Sequence, residues 1–311
     1  MNEKELIRKL TAQLPTNQNT ILSVGDDCAA VRPPSENESL LLKTDAVVEN
    51  VHFTRGDPGV GVGRKALGRC LSDVAAMGGV PESALITLGM VGEEDEAFIE
   101  SIYEGLIEIA KEYDVAIVGG ETTRNPGGLF ISVALTGRAS PDGGIRRGGA
   151  RVGDAIFVSG TLGGSIAGRH LDFDPRVKEA QWLVKNAELR AMIDVSDGLA
   201  SDLGHILRAS GVGALIDENF LPISRAAKLR ARENESAKTP LLAALTDGED
   251  FELLFTVAAA EAVRVKDAWR EAFPELPLTV IGRIEEAPGL RLKHVNGMRS
   301  LEGLDGYDHF Q

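Results

Sequence analysis

The stretch Asp194–His205 reads DVSDGLASDLGH, with three aspartates in nine residues and no Lys or Arg among them. Like charges this close repel unless a cation neutralises them. Other acids share the setting. Asp26 and Asp27 follow the short apolar run at 21–24, Asp45 ends the apolar run SLLLKTD, and Glu121 follows AIVGG. Asp194 and Asp197 follow the apolar pair Met192-Ile193. Each stands at or just past the C-terminal end of an expected strand, beside Gly, Ser or Thr, and open α/β sheets place ligands at that edge. Asp73 differs, since LSDVAAMGG reads as helix. Hard oxygen donors converging without counter-charges suit Mg2+, which takes oxygen ligands and bridges to phosphates. Taken singly, each acid also fits a turn or a helix N-cap, and Ser196-Asp197-Gly198 has N-cap character.

Two Gly-rich stretches are weaker signals. GVGRKA (61–66) fits a loose G-x-G-x-x-A, but no strand runs straight into it, as a dinucleotide fingerprint requires. It reads as the start of a helix. SGTLGGSIAG (159–168) does follow an expected strand, so its backbone N–H groups face either an anion or closely packed neighbours. Arg146 and Arg147 lie in a Gly-rich loop, as solvated residues or as a phosphate clamp. His52 and His309 lack metal-ligand spacing.

Strands are expected at 39–45, 83–91, 114–120, 129–137, 154–160, 191–195, 252–257 and 278–284, with helices over 62–79, 95–113, up to 186 and from 199. The Gly-rich loop SPDGGIRRGGARVGD (140–154) breaks all periodicity and marks a domain boundary. The expectation is two mixed α/β domains, 1–139 and 140–311. Asp202 and His205 fall one turn apart on the last of these helices; Asp202 stands either behind the metal ligands or on the helix surface, and the surface is the expectation.

The chain of 311 residues is long for one core. Aromatics are scarce at 5% and glycines number 35, a mix that suits loops lying close to ligands. The net charge of −14 argues against nucleic acid and anionic membrane as partners. Cys28 and Cys70 form no ligand pair and no disulfide framework, which points to a reducing cytoplasm. MNEKELIRKLTAQL reads as an amphipathic helix, neither a signal peptide nor a membrane span.

Seven motifs then carry a resemblance: VGDDCA, TDAVVENVHF, LSDVAAMGGVPESALITL, VGGETTR, DVSDGLASDLGHI, DGEDFELLFT and GYDHF, in this order. Together they resemble the thiamine-monophosphate kinase family, of the superfamily of aminoimidazole ribonucleotide synthetase and selenophosphate synthetase. The resemblance implies a PurM-like α/β subunit in a homodimer whose N-terminal sheet domain forms the interface. It implies ATP and thiamine monophosphate meeting in a cleft, with thiamine diphosphate as product. It further implies several Mg2+ ions held at Asp27, Thr44, Asp45, Asp73, Glu121, Asp194 and Asp197. ATP contacts are implied at Tyr103, Gly120, Glu121, Arg147 and Ser196, and thiamine contacts at His52, Glu249 and Tyr307. Asp73, Arg147 and Asp197 are the implied catalytic residues.

This chain departs from the family pattern at four places. Glu121 stands where an Asp is usual, and Asn50 where a small residue is common. Lys43 replaces a frequent Ser, so no side-chain oxygen can reach a metal there and only its backbone carbonyl could serve. DGED replaces G-G-E-D. The implied acceptor is a phosphate monoester with a second pKa of about 6, already largely dianionic at neutral pH, so no general base is needed. That agrees with the lack of a Ser–His–Asp arrangement. Alternatives are a superfamily enzyme with another acceptor, such as a ribonucleotide amide or selenide, or a nucleotide-binding regulator without catalysis. A selenide enzyme would carry a reactive Cys in a Gly-rich N-terminal segment, and none is present. A dinucleotide-dependent oxidoreductase lacks its fingerprint strand.

Overall fold

The computed structural model describes residues 20–22, 25–33, 37–91, 95–234, 236–304 and 306. The N-terminal amphipathic segment and the tail residues Tyr307 and His309 lie outside them. The chain forms two units, one of Asn19–Gly144 with His170–Gln181, the other containing Ile145–Arg169 and Trp182–Gln311.

The N-terminal unit runs β1 (Thr20–Leu22), β2 (Ala29–Val31), β3 (Ser39–Val48), α1 (Gly59–Ala76), β4 (Val80–Met90), α2 (Glu96–Glu112), β5 (Ala116–Arg124) and β6 (Phe130–Ala139). Its six strands form one sheet in the order β1-β2-β3-β6-β4-β5. Only β4 and β5 pair in parallel. Helix α1 buries Ala66, Leu67, Leu71, Val74 and Ala75, the apolar stripe its spacing predicts. Helix α2 starts at Asp95, whose carboxylate caps Ala97 N at 3.1 Å.

Glycine lets α1 and α2 touch backbone to backbone. A Cβ at Gly63 would fall 1.9 Å from the carbonyl oxygen of Ile102, and one at Gly105 would fall 1.9 Å from that of Val60. The glycines of GVGRKA therefore serve helix packing, inside a helix as its reading required.

Strand register sorts side chains to two faces. Leu42, Thr44, Leu85 and Ala134 share one face, while Lys43, Asp45, Ala84 and Leu135 share the other, against α1. The strands run past their expected ends. Asp45 is followed by three more residues of β3, and Glu121 lies within β5. Neither acid stands at a strand terminus, because the β-branched and small residues beyond each continue the ladder.

Helix α3 (Val177–Asn186) begins in the N-terminal unit and ends in the C-terminal one, which contains β7 (Ala155–Ser159), β8 (Leu189–Asp194), α4 (Leu199–Ser210), β9 (Gly213–Asp217), α5 (Arg225–Glu233) and α6 (Pro240–Thr246). The C-terminal unit ends with β10 (Leu253–Val257), α7 (Ala262–Ala272), β11 (Leu278–Glu285), β12 (Gly289–His294) and β13 (Gly297–Ser300). Its seven strands are ordered β13-β12-β9-β11-β7-β10-β8. Helix α4 places Leu199, Leu203, Ile206 and Leu207 in the same core as Val158, Ile193, Ile216 and Ile281. Gly211, at φ 68°, ends it.

Candidate active site

In the C-terminal unit, β8 delivers Asp194 at its last residue, buried to 3% exposure. The chain then turns sharply through Ser196, Asp197 and Gly198 into α4. Gly198 has φ 108°, and a Cβ there would strike the backbone of Thr246 and Leu245 at 2.9 Å. The turn is held from inside. Asp202, one turn into α4, accepts from Ser196 N and Asp197 N, both at 3.0 Å. This corrects the surface placement expected for Asp202, which is only 2% exposed. Its carboxyl pKa is raised by burial and by Asp197 and Asp194, against the N–H of Asp197 and the guanidinium of Arg147. Asp197, Asp202 and His205 offer ligand atoms within 4.8 Å of one another.

Arg147 reaches this group because its loop is tied down. Met192 N donates to the Arg146 carbonyl at 3.0 Å, laying the loop along β8.

The DGED segment lies against the same turn. Glu249 N donates to Ser196 O at 2.7 Å, Phe251 N to Val195 O at 2.8 Å and Val195 N to Glu252 O at 2.8 Å. This continues the pairing of β8 with β10 past the strand ends. Glu249 and Phe251 are held at φ 53° and 51°, conformations unfavourable to non-glycine residues. Further bonds hold the segment in place. Asp250 Oδ2 accepts from Gly163 N at 2.8 Å, Asp247 Oδ2 from Gly164 N at 3.0 Å, and Ser165 Oγ donates to Glu249 O at 2.5 Å. Glu252 takes Arg169 and Ser159. The N–H groups of Gly163 and Gly164 thus face the protein's own carboxylates, those of Gly160 and Leu162 donate to backbone carbonyls, and tight packing accounts for the glycines. A Cβ at Gly163 would sit 2.6 Å from Ala244 N. The tail joins here too, since a Cβ at Gly306 would lie 2.0 Å from Asp197 O. The SDG turn, the DGED segment and the start of the tail therefore converge on Ser196-Asp197.

In the N-terminal unit, β3 and α1 face each other across two ion pairs. Lys43 Nζ stands 2.9 Å from Asp73 Oδ2. Arg69 spans Asp45, with Nε at 3.1 Å from Oδ2 and Nη2 at 3.3 Å from Oδ1. The geometry follows from the two repeats. Residues two apart on a strand stand roughly 6.7 Å apart, and residues four apart on a helix about 6 Å. The charges alternate around the resulting square. Burial disfavours the Lys43 charge, but Asp73 and Asp45 outweigh it and hold its pKa above the usual lysine value. Burial likewise opposes the Asp45 carboxylate, and Arg69 and Lys43 overcome it and lower its pKa. The expectation that these acids lack counter-charges is corrected for Asp45 and Asp73. Their cations come from the partner element, not from sequence neighbours.

Asp27 is buried to 4% exposure and offers an oxygen within 4.8 Å of one from Asp73. Thr44 lies on the opposite face of β3 from Asp45, and its hydroxyl donates to Val133 O at 3.0 Å. Glu121 pairs with Thr87 on exposed β5 and shares Thr44's face. Gly120 is required by packing, since a Cβ there would fall 1.8 Å from Ile86 O. Tyr103 is half-buried on α2. His52 accepts from Val48 N through Nδ1 at 3.1 Å. Its carbonyl receives Lys65 Nζ at 2.7 Å, and the same ammonium stands 2.9 Å from His170 Nδ1. Lys65 is 1% exposed on α1 and was not singled out by the sequence, where it reads as one charge among many.

Carboxylate oxygens on two sides of a turn, several of them nearly buried, form a hard donor set that fits Mg2+.

Two family models match the chain: AIR synthase related protein, N-terminal domain, over residues 25–139, and AIR synthase related protein, C-terminal domain, over residues 151–295. Thiamine-monophosphate kinase of Rhodopirellula baltica is 39% identical over 292 residues, covering 91% of this chain and 89% of the relative. The chain belongs to the thiamine-monophosphate kinase family. The Haemophilus influenzae member is 35% identical over 339 residues, covering 100% of this chain and 98% of its own. The solved structure of AaThiL complexed with AMPPCP and TMP superposes with a TM-score of 0.79 at 33% identity, covering 99% of this chain and 97% of that one. The two mixed α/β units have the PurM-like fold that this family's motifs imply. Among the described residues, no helix is long and apolar enough to cross a membrane.

Proposed function

We propose that the protein transfers the γ-phosphoryl group of ATP to thiamine monophosphate, giving thiamine diphosphate and ADP. The observation that carries this reading is the convergence of the SDG turn, the DGED segment and the start of the tail on Ser196-Asp197, in a chain of this family. The acceptor phosphate is already a dianion near neutral pH, so the problem is bringing two polyanions together, not removing a proton.

The roles are those that the family resemblance implies. Ser196 and Arg147 contact the nucleotide, with Tyr103, Gly120 and Glu121 serving it from the N-terminal unit. Arg147 stabilises the equatorial oxygens of the transferring group. His52, Glu249 and Tyr307 bind the thiamine end. Mg2+ ligands are Asp27, Thr44, Asp45, Asp73 and Glu121 in the N-terminal unit and Asp194 and Asp197 in the C-terminal unit. When bound, Mg2+ supplies neutralisation of phosphate charge. Asp73 and Asp197 are the acids on which turnover depends most. Residues 1–139 and 140–311 form the working division of the chain.

We also propose a homodimer formed through the N-terminal sheet. Leu42, Leu85 and Val118 are 41, 48 and 63% exposed on or beside one face of that sheet, an apolar patch that a second copy would cover. A cytoplasmic location accords with two buried free cysteines, whose thiols burial and nearby acids push up.

The test mixes purified protein with ATP, Mg2+ and thiamine monophosphate and resolves thiamine diphosphate by chromatography. Product from the monophosphate and not from thiamine, matched by ADP and abolished by EDTA, is expected. Mg2+-dependent ATP binding without product would refute the acceptor.

A further inference from the structure

The Gly-rich loop SGTLGGSIAG has no part in the phosphoryl-transfer reading, yet it is bonded to the DGED segment residue by residue. Gly163 N donates to Asp250 Oδ2 at 2.8 Å, Gly164 N to Asp247 Oδ2 at 3.0 Å and Ser165 Oγ to Glu249 O at 2.5 Å. Three consecutive residues of the loop thus meet three of the four residues of DGED. Arg169 closes the loop, its guanidinium donating to Thr161 O at 3.1 Å and to Asp250 O at 3.2 Å. What this clamp holds is unfavourable by itself. Glu249 at φ 53° and Phe251 at φ 51° flank Asp250, and non-glycine residues keep such dihedrals only where their surroundings impose them. The N–H of Glu249 is held from one side, on Ser196 O at 2.7 Å, and its carbonyl from the other, by Ser165. With the peptide planes on both sides of its Cα held, the direction of the Glu249 Cβ is set. Relaxation of φ to the ordinary negative range would swing that Cβ elsewhere.

We infer that Ser165 and Asp250 are positioning residues for the substrate that Glu249 binds: they keep Glu249 in its left-handed conformation, and affinity for thiamine monophosphate depends on that hold while affinity for ATP does not. The inference rests on the role proposed above for Glu249 and deepens it. Ser165 and Asp250 are 2% and 0% exposed, so they act through Glu249 and not by touching substrate. If the clamp is weakened, part of the population leaves the left-handed conformation, and affinity falls by the fraction lost.

The test measures binding of thiamine monophosphate by isothermal titration calorimetry, on the full chain with Mg2+ and AMPPCP, together with steady-state KM for both substrates. Ser165→Ala removes the bond to the Glu249 carbonyl and leaves every charge in place. Asp250→Ala removes the acceptor of Gly163 N, and Asp250→Asn keeps one. Ser165→Ala and Asp250→Ala are expected to weaken thiamine monophosphate binding about five- to tenfold, the worth of one buried hydrogen bond, with KM for ATP changed by less than about twofold. Asp250→Asn is expected to bind as wild type does. Thermal melts identify any variant that does not fold, and Ser165→Ala, the smallest change, decides if Asp250→Ala fails. Unchanged affinity for thiamine monophosphate in folded Ser165→Ala would overturn the inference, because a loop that only packs would lower Tm and leave the affinity alone. An equal loss for both substrates would overturn it as well. Glu249→Gln, measured alongside, separates the two readings. If it weakens thiamine monophosphate binding and Ser165→Ala does not, the clamp is refuted and the role of Glu249 stands. If Glu249→Gln binds as tightly as wild type, the role of Glu249 and the inference fall together.

Discussion

Asp250 sits at the centre of the DGED segment, 0% exposed, with Oδ2 on Gly163 N and Oδ1 buried and lacking a hydrogen-bond partner. A buried carboxylate with one bare oxygen is costly to ionise. Its pKa is pushed up to about 7, chiefly by burial, with Glu252 and Asp247 adding to it and Gly163 N–H and Arg169 opposing it. The unfolded value is 3.8. Between roughly pH 4 and 7 the native protein therefore holds a proton that the unfolded chain releases, so stability falls as pH rises through this window and is flat above it. Three pKa units correspond to about 4 kcal/mol at 1.36 kcal/mol each, an upper bound because the chain relaxes around the charge.

Asp250→Asn removes the titration and keeps the shape. Near pH 4 the unfolded chain is only part-way through releasing the proton that the folded one keeps, and variant and wild type are expected to melt within about 1 kcal/mol of each other. At pH 8 the wild type carries the ionised group. The variant is then expected to be more stable by on the order of 2 kcal/mol, after allowing for a weaker bond to Gly163 N–H. For a chain of 311 residues that is about 3 °C in Tm. The assay is a set of paired melts from pH 4 to pH 8. A Tm difference that does not change across the range would refute the argument, because it would mean that Asp250 ionises in the folded protein as it does in the unfolded one.

Asp73→Asn and Asp197→Asn are each expected to cut turnover of thiamine monophosphate by far more than tenfold, with circular dichroism unchanged. Retention of over a tenth of the rate, a barrier change of only about 1.4 kcal/mol, would remove that acid from the catalytic set. Gly105→Ala drives a Cβ into Val60 O and is expected to cost about 1–3 kcal/mol in thermal melts, more than Gly61→Ala, whose Cβ meets Leu171 Cβ at 3.1 Å. Lys65→Met fills the same volume but frees the His52 carbonyl. It is expected to raise KM for thiamine monophosphate several-fold with less effect on KM for ATP, in steady-state assays varying each substrate.

How much of this was legible in the sequence depends on how far apart the partners lie along the chain. The apolar stripe of α1 and the strands flanking it follow from local periodicity, and so does the acid at the end of β8. The bond from Asp202 back to Ser196 N and Asp197 N spans only six residues, and an acid in the first turn after Ser-Asp-Gly is itself a capping signal. That reading was available, but the helical spacing of Asp202 with His205 pointed instead to a solvated face. The salt-bridge square was not available in the same way. Lys43 and Asp73 lie thirty residues apart, and their meeting requires that β3 and α1 pack with a specific register, which no local pattern sets. Read along the chain, Asp45 stands beside Thr44 and Ala46 and looks unneutralised. In the fold, Arg69 has already neutralised it. The distinction matters for function, because a cation supplied by the fold reduces the negative charge that a bound metal has to neutralise. Asp73 meets Lys43 at 2.9 Å and stands close to Asp27, a juxtaposition that only the packing of β3 on α1 creates.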